Sequence, residues 1–431
     1  MQPAYDSQAT TDLLEESLVL WRGSSGNLPP LGRRYSKAEQ LERETWFDEC
    51  LDSIRAASFQ VPEIEAERIA VRERISSSLA EIAVSAIDLH DPYVESLLRD
   101  GFPSIGADLA RCARSVDSGV SMADIFQASR NAWTACGLQL LLGRTMELTP
   151  AIFAYSMLYP YSDNYLDQTG VPVEEKLEFS ARFGTRLAGS ALQPKNELET
   201  AVWQFIETIE SQYQRAWHPK VYASLLGIHQ AQEQSMFQLR SHALLYDAKD
   251  GFDVAALSFA KGGSSVLADA YLAAGALTES EIRFAFEWGV LLQLGDDLQD
   301  LQQDLDRGSL TLITQEAGRQ PLDALTNRIL NFADVVMARL DNLATCRDQV
   351  KELLKRSSRW LLVRAAAQAG KFYTGKYLSE LETYSPVRFG FLNARQEQFI
   401  RQQAWFATLF EALLLPEETN SLMEEPGFTA S

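Results

Sequence analysis

The chain has 431 residues, 46% of them hydrophobic and 23% charged, an ordinary globular composition with length enough for a large core. Its 39 basic residues face 59 acidic ones, a formal net charge of −20, and such a surface disfavours nucleic acid and anionic membranes, which call for basic patches. The four cysteines, at 50, 112, 136 and 346, form no CxxC pair, so neither a disulfide framework nor a thiolate metal site is expected.

The opening stretch, MQPAYDSQATTDLLEE, has no basic or apolar targeting pattern, and a soluble, cytoplasmic protein is expected. Residues 22–34, RGSSGNLPPLGRR, read as an irregular arm. Helical periodicity then dominates, over 39–58, 64–92, 198–217, 221–246, 279–306 and 322–356, with apolar residues at i, i+3 and i+4. The apolar run ACGLQLLLG (135–143) is far shorter than the ~20 residues of a bilayer span, so no membrane span is expected. The stretches at 191–197 and 217–220 read as turns between helices. Alternating β-branched runs are nearly absent, and the expected class is all-α. The chain divides into an arm with accessory helices (1–115) packed outside the chemical centre, a main helical domain (116–414) and a flexible acidic tail (415–431).

Two acidic clusters interrupt this pattern. LQLGDDLQDLQQD (292–304) places Asp296, Asp300 and Asp304 at i, i+4 and i+8, nearly one helix face about 12 Å long. YSDNYLD (161–167) places Asp163 and Asp167 at i and i+4. Among 59 acidic residues, such pairs are usually a solvated face. Two features weigh against that here. Asp is a poorer helix former than Glu, yet every one of these positions is Asp. Each cluster also follows a strongly apolar stretch, LTPAIFAYSMLYP (148–160) or FAFEWGVLLQLG (284–295), and carboxylates at the mouth of an apolar pocket are costly unless paired or coordinated. Short carboxylates suit Mg²⁺, which fills its shell with water and phosphate oxygens.

DNYLD (163–167) resembles the first aspartate-rich motif of class I isoprenoid synthases, with Asn164 in its second position, and DDLQD (296–300) is a full DDxxD. With Asp304, the second cluster is also similar to the terpene-cyclase metal motif, Asp300 and Asp304 standing for its Ser and Glu. AKGGSSVLADAYLAAGAL (260–277) resembles the KTxxL segment of prenyl synthases, which places Lys261 at their diphosphate-binding lysine, and Gln293 matches the glutamine of their FQxxDD. The resemblance covers roughly residues 150–310 and rests on the order and spacing of the three elements.

The resemblance implies an isoprenoid-synthase helical bundle around an apolar cavity. It also implies three Mg²⁺ ions, replaceable by Mn²⁺, held by Asp163, Asp167, Asp296, Asp300 and Asp304. A prenyl diphosphate would be the substrate, and a homodimer is common in the family. Further diphosphate donors are sought in Arg182, Arg186, Arg307, Lys371 and the Lys376–Tyr377 pair, which stands where terpene cyclases often carry Arg-Tyr. Phe153, Tyr155, Tyr159 and Trp288 are candidates for the cavity wall, each weighed against plain core packing. The chain departs from chain-elongating synthases in having QTGVPVEE after the first motif, where they carry paired arginines, and DLDRGSLTLIT after the second. A single-substrate terpene cyclase, a carbon–oxygen lyase of secondary metabolism, is therefore expected. Farnesyl diphosphate would be cyclised to a sesquiterpene such as humulene, as in the fungal humulene-forming cyclases of tropolone meroterpenoid pathways. A chain-elongating or head-to-head prenyl transferase and an inactive scaffold of the same fold are the alternatives.

Two other chemistries are excluded. A di-iron bundle needs Glu-x-x-His pairs, and none of the four histidines has Glu three residues before it. The stretch 304–315 lacks the glutamate that ends a calcium loop.

Overall fold

The computed structural model describes residues 7–58, 64–168, 170–235, 238 and 253–401. The described chain is all-helical, with no strand among its elements. In chain order the helices are α1 (Ser7–Gly23), α2 (Lys37–Ser58), α3 (Glu65–Ile87), α4 (Pro92–Ser96), α5 (Phe102–Val116), α6 (Met122–Leu141), α7 (Pro150–Asp167), α8 (Val173–Leu187) and α9 (Glu197–Gln212). There follow α10 (Pro219–Ser235), α11 (Val254–Ala274), α12 (Glu279–Gln299), α13 (Leu301–Arg307), α14 (Leu312–Glu316), α15 (Asp323–Ala338), α16 (Asp348–Gln368), α17 (Gly375–Glu382) and α18 (Phe389–Arg401). The expected acidic tail lies outside the described residues, as do 239–246, the end of the helix expected over 221–246.

At the centre α11 and α12 cross at van der Waals contact of their backbones. A Cβ on Gly289 would lie 2.2 Å from the Gly262 carbonyl oxygen, and one on Gly262 would lie 2.5 Å from that of Gly289. The Phe286 ring fills the space that a Cβ on Gly263 would need. Only glycine permits this approach, and it sets the depth at which neighbouring side chains enter the interior. The capping box of Thr278 and Glu281 starts α12.

Three expected helices are broken, each where the chain carries its own stop. The helix expected over 64–92 ends at Asp88 in a left-handed conformation (φ 53°). There Arg33 and Arg43 hold the Asp88 carboxylate, and α4 restarts with Asp91 capping the amides of Tyr93 and Val94 ahead of Pro92. The 322–356 segment breaks over Leu343–Arg347, where Thr345 and Cys346 favour helix less than Leu or Ala does. The 279–306 segment is two helices joined at Asp300 (φ −92°, ψ 7°). The bonds from Asp300 N to Asp296 O (2.8 Å) and Asp304 N to Asp300 O (2.9 Å) carry helical register across that joint.

The described residues among the first 115 pack on the main body of helices. Trp21 of α1 is buried in the main core, edge-on to Phe259 (5.9 Å) and Phe332 (6.0 Å). The arm at 22–34 is stapled down: Asn331 donates to the carbonyls of Ser25 (3.1 Å) and Asn27 (2.8 Å), and Asn327 to that of Gly26 (3.0 Å). Only α2 and α3 build a separate small cluster, around Ile54, Ala57 and Ile75.

Candidate active site

Helices α6, α11, α12 and α16 enclose a cavity of about 980 Å³, with Tyr159 of α7 and Ile228 of α10 completing the wall. The lining follows helical periodicity: Lys261, Ser265 and Asp269 on α11, Trp288, Leu292 and Asp296 on α12, and Val350, Leu354, Ser357 and Leu361 on α16. Leu98 and Phe102 also line it, so the N-terminal 115 residues contribute to the site.

Asp296, Asp297, Asp300 and Asp304 all line this cavity together with Lys261. Burial raises the pKa of Asp296, and the charge of Asp300 raises it further, against Arg130 and Lys261. Asp304 is raised for the same two reasons, with Arg307 and Lys261 opposing. Asp297 is only 5% exposed. Burial pushes its carboxyl up to about 7, although Gln293 donates to its Oδ1 at 2.7 Å. Asp297 Oδ2 is buried with no hydrogen-bond partner, a costly arrangement for an acceptor. Burial is thus the main reason Asp296, Asp297 and Asp304 hold their protons more tightly than free aspartates.

The first motif reaches the same region through α6. Asn164 donates to Asp124 Oδ1 (3.0 Å) and Gln127 Oε1 (3.1 Å), Gln127 lines the cavity, and Arg130 on the next turn stands 3.8 Å from Asp296. Both motifs therefore abut the N-terminal half of one helix. Asp163 and Asp167 occupy the last turns of α7, and their side chains lie outside the described residues.

Among the described residues no three Asp, Glu, His or Cys side chains close round a common point as a ready metal site. The donor set is nevertheless that of a hard cation. It consists of the carboxylates of Asp296, Asp300 and Asp304 on successive turns, beside the orphaned buried acceptor of Asp297, with space for water and phosphate oxygens.

Of the other expected site residues, Tyr159, Trp288 and Gln293 line the cavity. Phe153 packs edge-on to Phe205 at 6.2 Å, and Tyr155 is buried in the main core; neither is in the lining. Several expected diphosphate donors are committed elsewhere. Arg182 is clasped by the buried Glu199 through two 2.7 Å bonds, and Arg186 by Glu210 through two at 2.8 Å. Tyr377 is buried, stacked on Tyr373 (5.5 Å), with its hydroxyl donating to Asn327 (2.8 Å). Lys376 is exposed on α17, apart from the cavity lining. Lys371 donates to the Gln302 side chain, and Arg307 ends α13, so both flank the second motif from outside the cavity.

The residues missed are Arg130, Asn131, Asp297 and Asp269. Arg130 has no local signal distinguishing it from a surface arginine. Asp269 does have one: with Lys261 it is one of only two charged residues in the 21-residue α11. No family model matches the chain, and no curated protein or solved structure matches it.

Proposed function

We propose that the chain is a Mg²⁺-dependent class I terpene cyclase that ionises a single prenyl diphosphate, farnesyl diphosphate for preference, and closes the carbocation to a cyclic sesquiterpene. The observation that carries this reading is one cavity with two chemical ends. Lys261 and the carboxylates of Asp296, Asp297, Asp300 and Asp304 gather at one, and the rest of the lining mixes Phe102, Trp133, Tyr159, Trp288 and aliphatic side chains with polar groups such as Asn131, Ser265 and Asp269. Its volume lies at the upper end of the ~300–1,000 Å³ usual for small-molecule sites.

In this reading Asp296, Asp300 and Asp304, with Asp163 and Asp167 from α7, hold the metal. Bound Mg²⁺ supplies Lewis-acid neutralisation of the leaving diphosphate. Lys261 donates to the diphosphate oxygens, and Arg130 adds positive charge at the mouth, 3.8 Å from Asp296. Each aromatic face in the lining can stabilise a passing cationic centre by about 0.5–2 kcal/mol. Among the described residues, Lys261 and Arg130 are the only basic side chains in the cavity lining, which favours one diphosphate over two. Consistent with catalysis on a substrate delivered from water, no described helix is long and apolar enough to cross a membrane.

The test is gas chromatography–mass spectrometry of products from geranyl, farnesyl and geranylgeranyl diphosphate with Mg²⁺, each with and without isopentenyl diphosphate. A cyclic product from one allylic substrate alone is expected, falling by roughly 10²–10³ in Asp296→Asn with an unchanged helical circular-dichroism spectrum. A longer diphosphate formed only with isopentenyl diphosphate would make the protein a chain-elongating synthase, and no turnover would make it a scaffold.

A further inference from the structure

Ser265 and Asp269 stand one helical turn apart on the cavity face of α11, below Lys261. Asp269 is 1% exposed. Its one hydrogen bond among the described residues comes from Asn131 Nδ2 to Oδ1 (3.1 Å), a group that also donates to Ser156 Oγ (3.2 Å). That bond goes to Oδ1, and none to Oδ2 is made among the described residues. Ser265 makes no hydrogen bond among the described residues either, not even the bond to the carbonyl four residues back by which helical serines commonly satisfy themselves. Elsewhere in this chain Ser129 and Ser162 do make that bond, at 2.8 and 2.7 Å.

Both side chains line the cavity, and polar groups there that lack a protein partner are costly unless water reaches them. Side chains at i and i+4 lie about 5–6 Å apart, the separation that one oxygen atom bridges with two hydrogen bonds of about 2.8 Å. Burial raises the Asp269 carboxyl well above the usual carboxylate range, which favours its protonated, O–H-donating form beside a serine that can donate or accept.

We propose that Ser265 and Asp269 form a hydroxyl-oxygen site in the cavity wall, which holds one water molecule and delivers it to the carbocation. The site lies about 6–12 Å along the helix from Lys261, one to two turns from the diphosphate end and beside the more distal part of an extended prenyl chain. On the cyclase reading, on which this use of the site rests, the water oxygen forms a C–O bond to the cationic carbon. The oxonium proton leaves through the Ser265 hydroxyl to the released diphosphate, the base generated by ionisation. The balance is prenyl diphosphate plus water giving a cyclic alcohol and protonated diphosphate. Neutral Asp269 holds the water without offering an anionic oxygen that the cation would alkylate.

Two measurements on the full chain test this. A high-resolution crystal structure without substrate is expected to show an ordered water within hydrogen-bond distance of both Ser265 Oγ and Asp269 Oδ2. An empty or purely apolar contact there overturns the site, whatever the protein catalyses. Turnover of farnesyl diphosphate with Mg²⁺ in H₂¹⁸O is expected to give an ¹⁸O-labelled cyclic alcohol, with the alcohol-to-hydrocarbon ratio at least tenfold lower in Ser265→Ala. Asp269→Asn, which keeps the shape of the side chain, is expected to lower the same ratio. Unlabelled hydrocarbon as the sole product of the native chain overturns water delivery while leaving the cyclase reading intact. Failure to turn over any prenyl diphosphate refutes the cyclase reading instead, and the crystallographic result then decides the site alone.

Discussion

Asp297 offers a quantitative test of how the acidic cluster is held. Its carboxyl is 5% exposed and titrates near 7, against 3.8 for an unperturbed aspartate. Burial is the main cause, with the charges of Asp304 and Asp296 adding to it and Gln293 and Lys261 opposing. Because the folded state holds this proton more tightly than the unfolded chain, the group's contribution to stability is fully present below about pH 4. It is lost as pH rises through about 7. At ~1.4 kcal/mol per pH unit the loss amounts to roughly 4 kcal/mol. Asp297→Asn abolishes the titration, keeps an oxygen for Gln293, and places an amide where Oδ2 now lacks a partner, at a cost of about 1–3 kcal/mol. The variant is therefore expected to be less stable than the native chain near pH 4.5 and more stable above pH 8. The difference should shift by about 3–4 kcal/mol between those limits. Urea unfolding followed by circular dichroism, with EDTA present throughout, measures it. Parallel stability curves, agreeing within about 1 kcal/mol at every pH, would refute the account of a strained, buried carboxyl.

Other substitutions probe the frame. Gly289→Ala puts a methyl group 2.2 Å from the Gly262 carbonyl oxygen; it is expected to cost at least the ~1–3 kcal/mol typical of overpacking, seen as a lower thermal midpoint. Equal stability would mean the α11–α12 crossing is looser than described. Arg182→Met strands Glu199, which is 2% exposed, and is expected to cost about 3 kcal/mol with no loss of affinity for inorganic diphosphate in calorimetry. A selective loss of that affinity would return Arg182 to the site. Asn331→Ala removes the bonds to Ser25 and Asn27, so limited proteolysis within 22–34 should accelerate several-fold; an unchanged cleavage rate would show that the arm is held by other contacts.

The all-α class and most helix positions were legible because helical periodicity and caps are local signals. Even the breaks at Asp88 and Asp300 sit beside residues that announce them, Asp91-Pro92 in one case and a run of aspartates in the other. The relation of Lys261 to Ser265 and Asp269, and of Asp296 to Asp300 and Asp304, is likewise written in residue spacing, since 3.6 residues per turn assigns each to a face. Identical spacing serves solvated faces and cavity walls alike, and for that reason Tyr377, Arg182 and Phe153 looked as eligible as Tyr159 and Trp288.

By itself, then, the sequence determined which segments are helices, which side chains share a face, and that two acidic clusters follow apolar stretches. Only the tertiary structure decided which faces meet. The backbone contact of Gly262 with Gly289 brings Lys261 and the second motif to one cavity, Arg130 approaches Asp296 from α6, and Leu98 and Phe102 close the wall from the N-terminal region. Helix faces are written by short-range geometry, whereas their partners are chosen by which packing of the whole chain buries the most apolar surface with its polar groups paired, and no single stretch of sequence contains that sum.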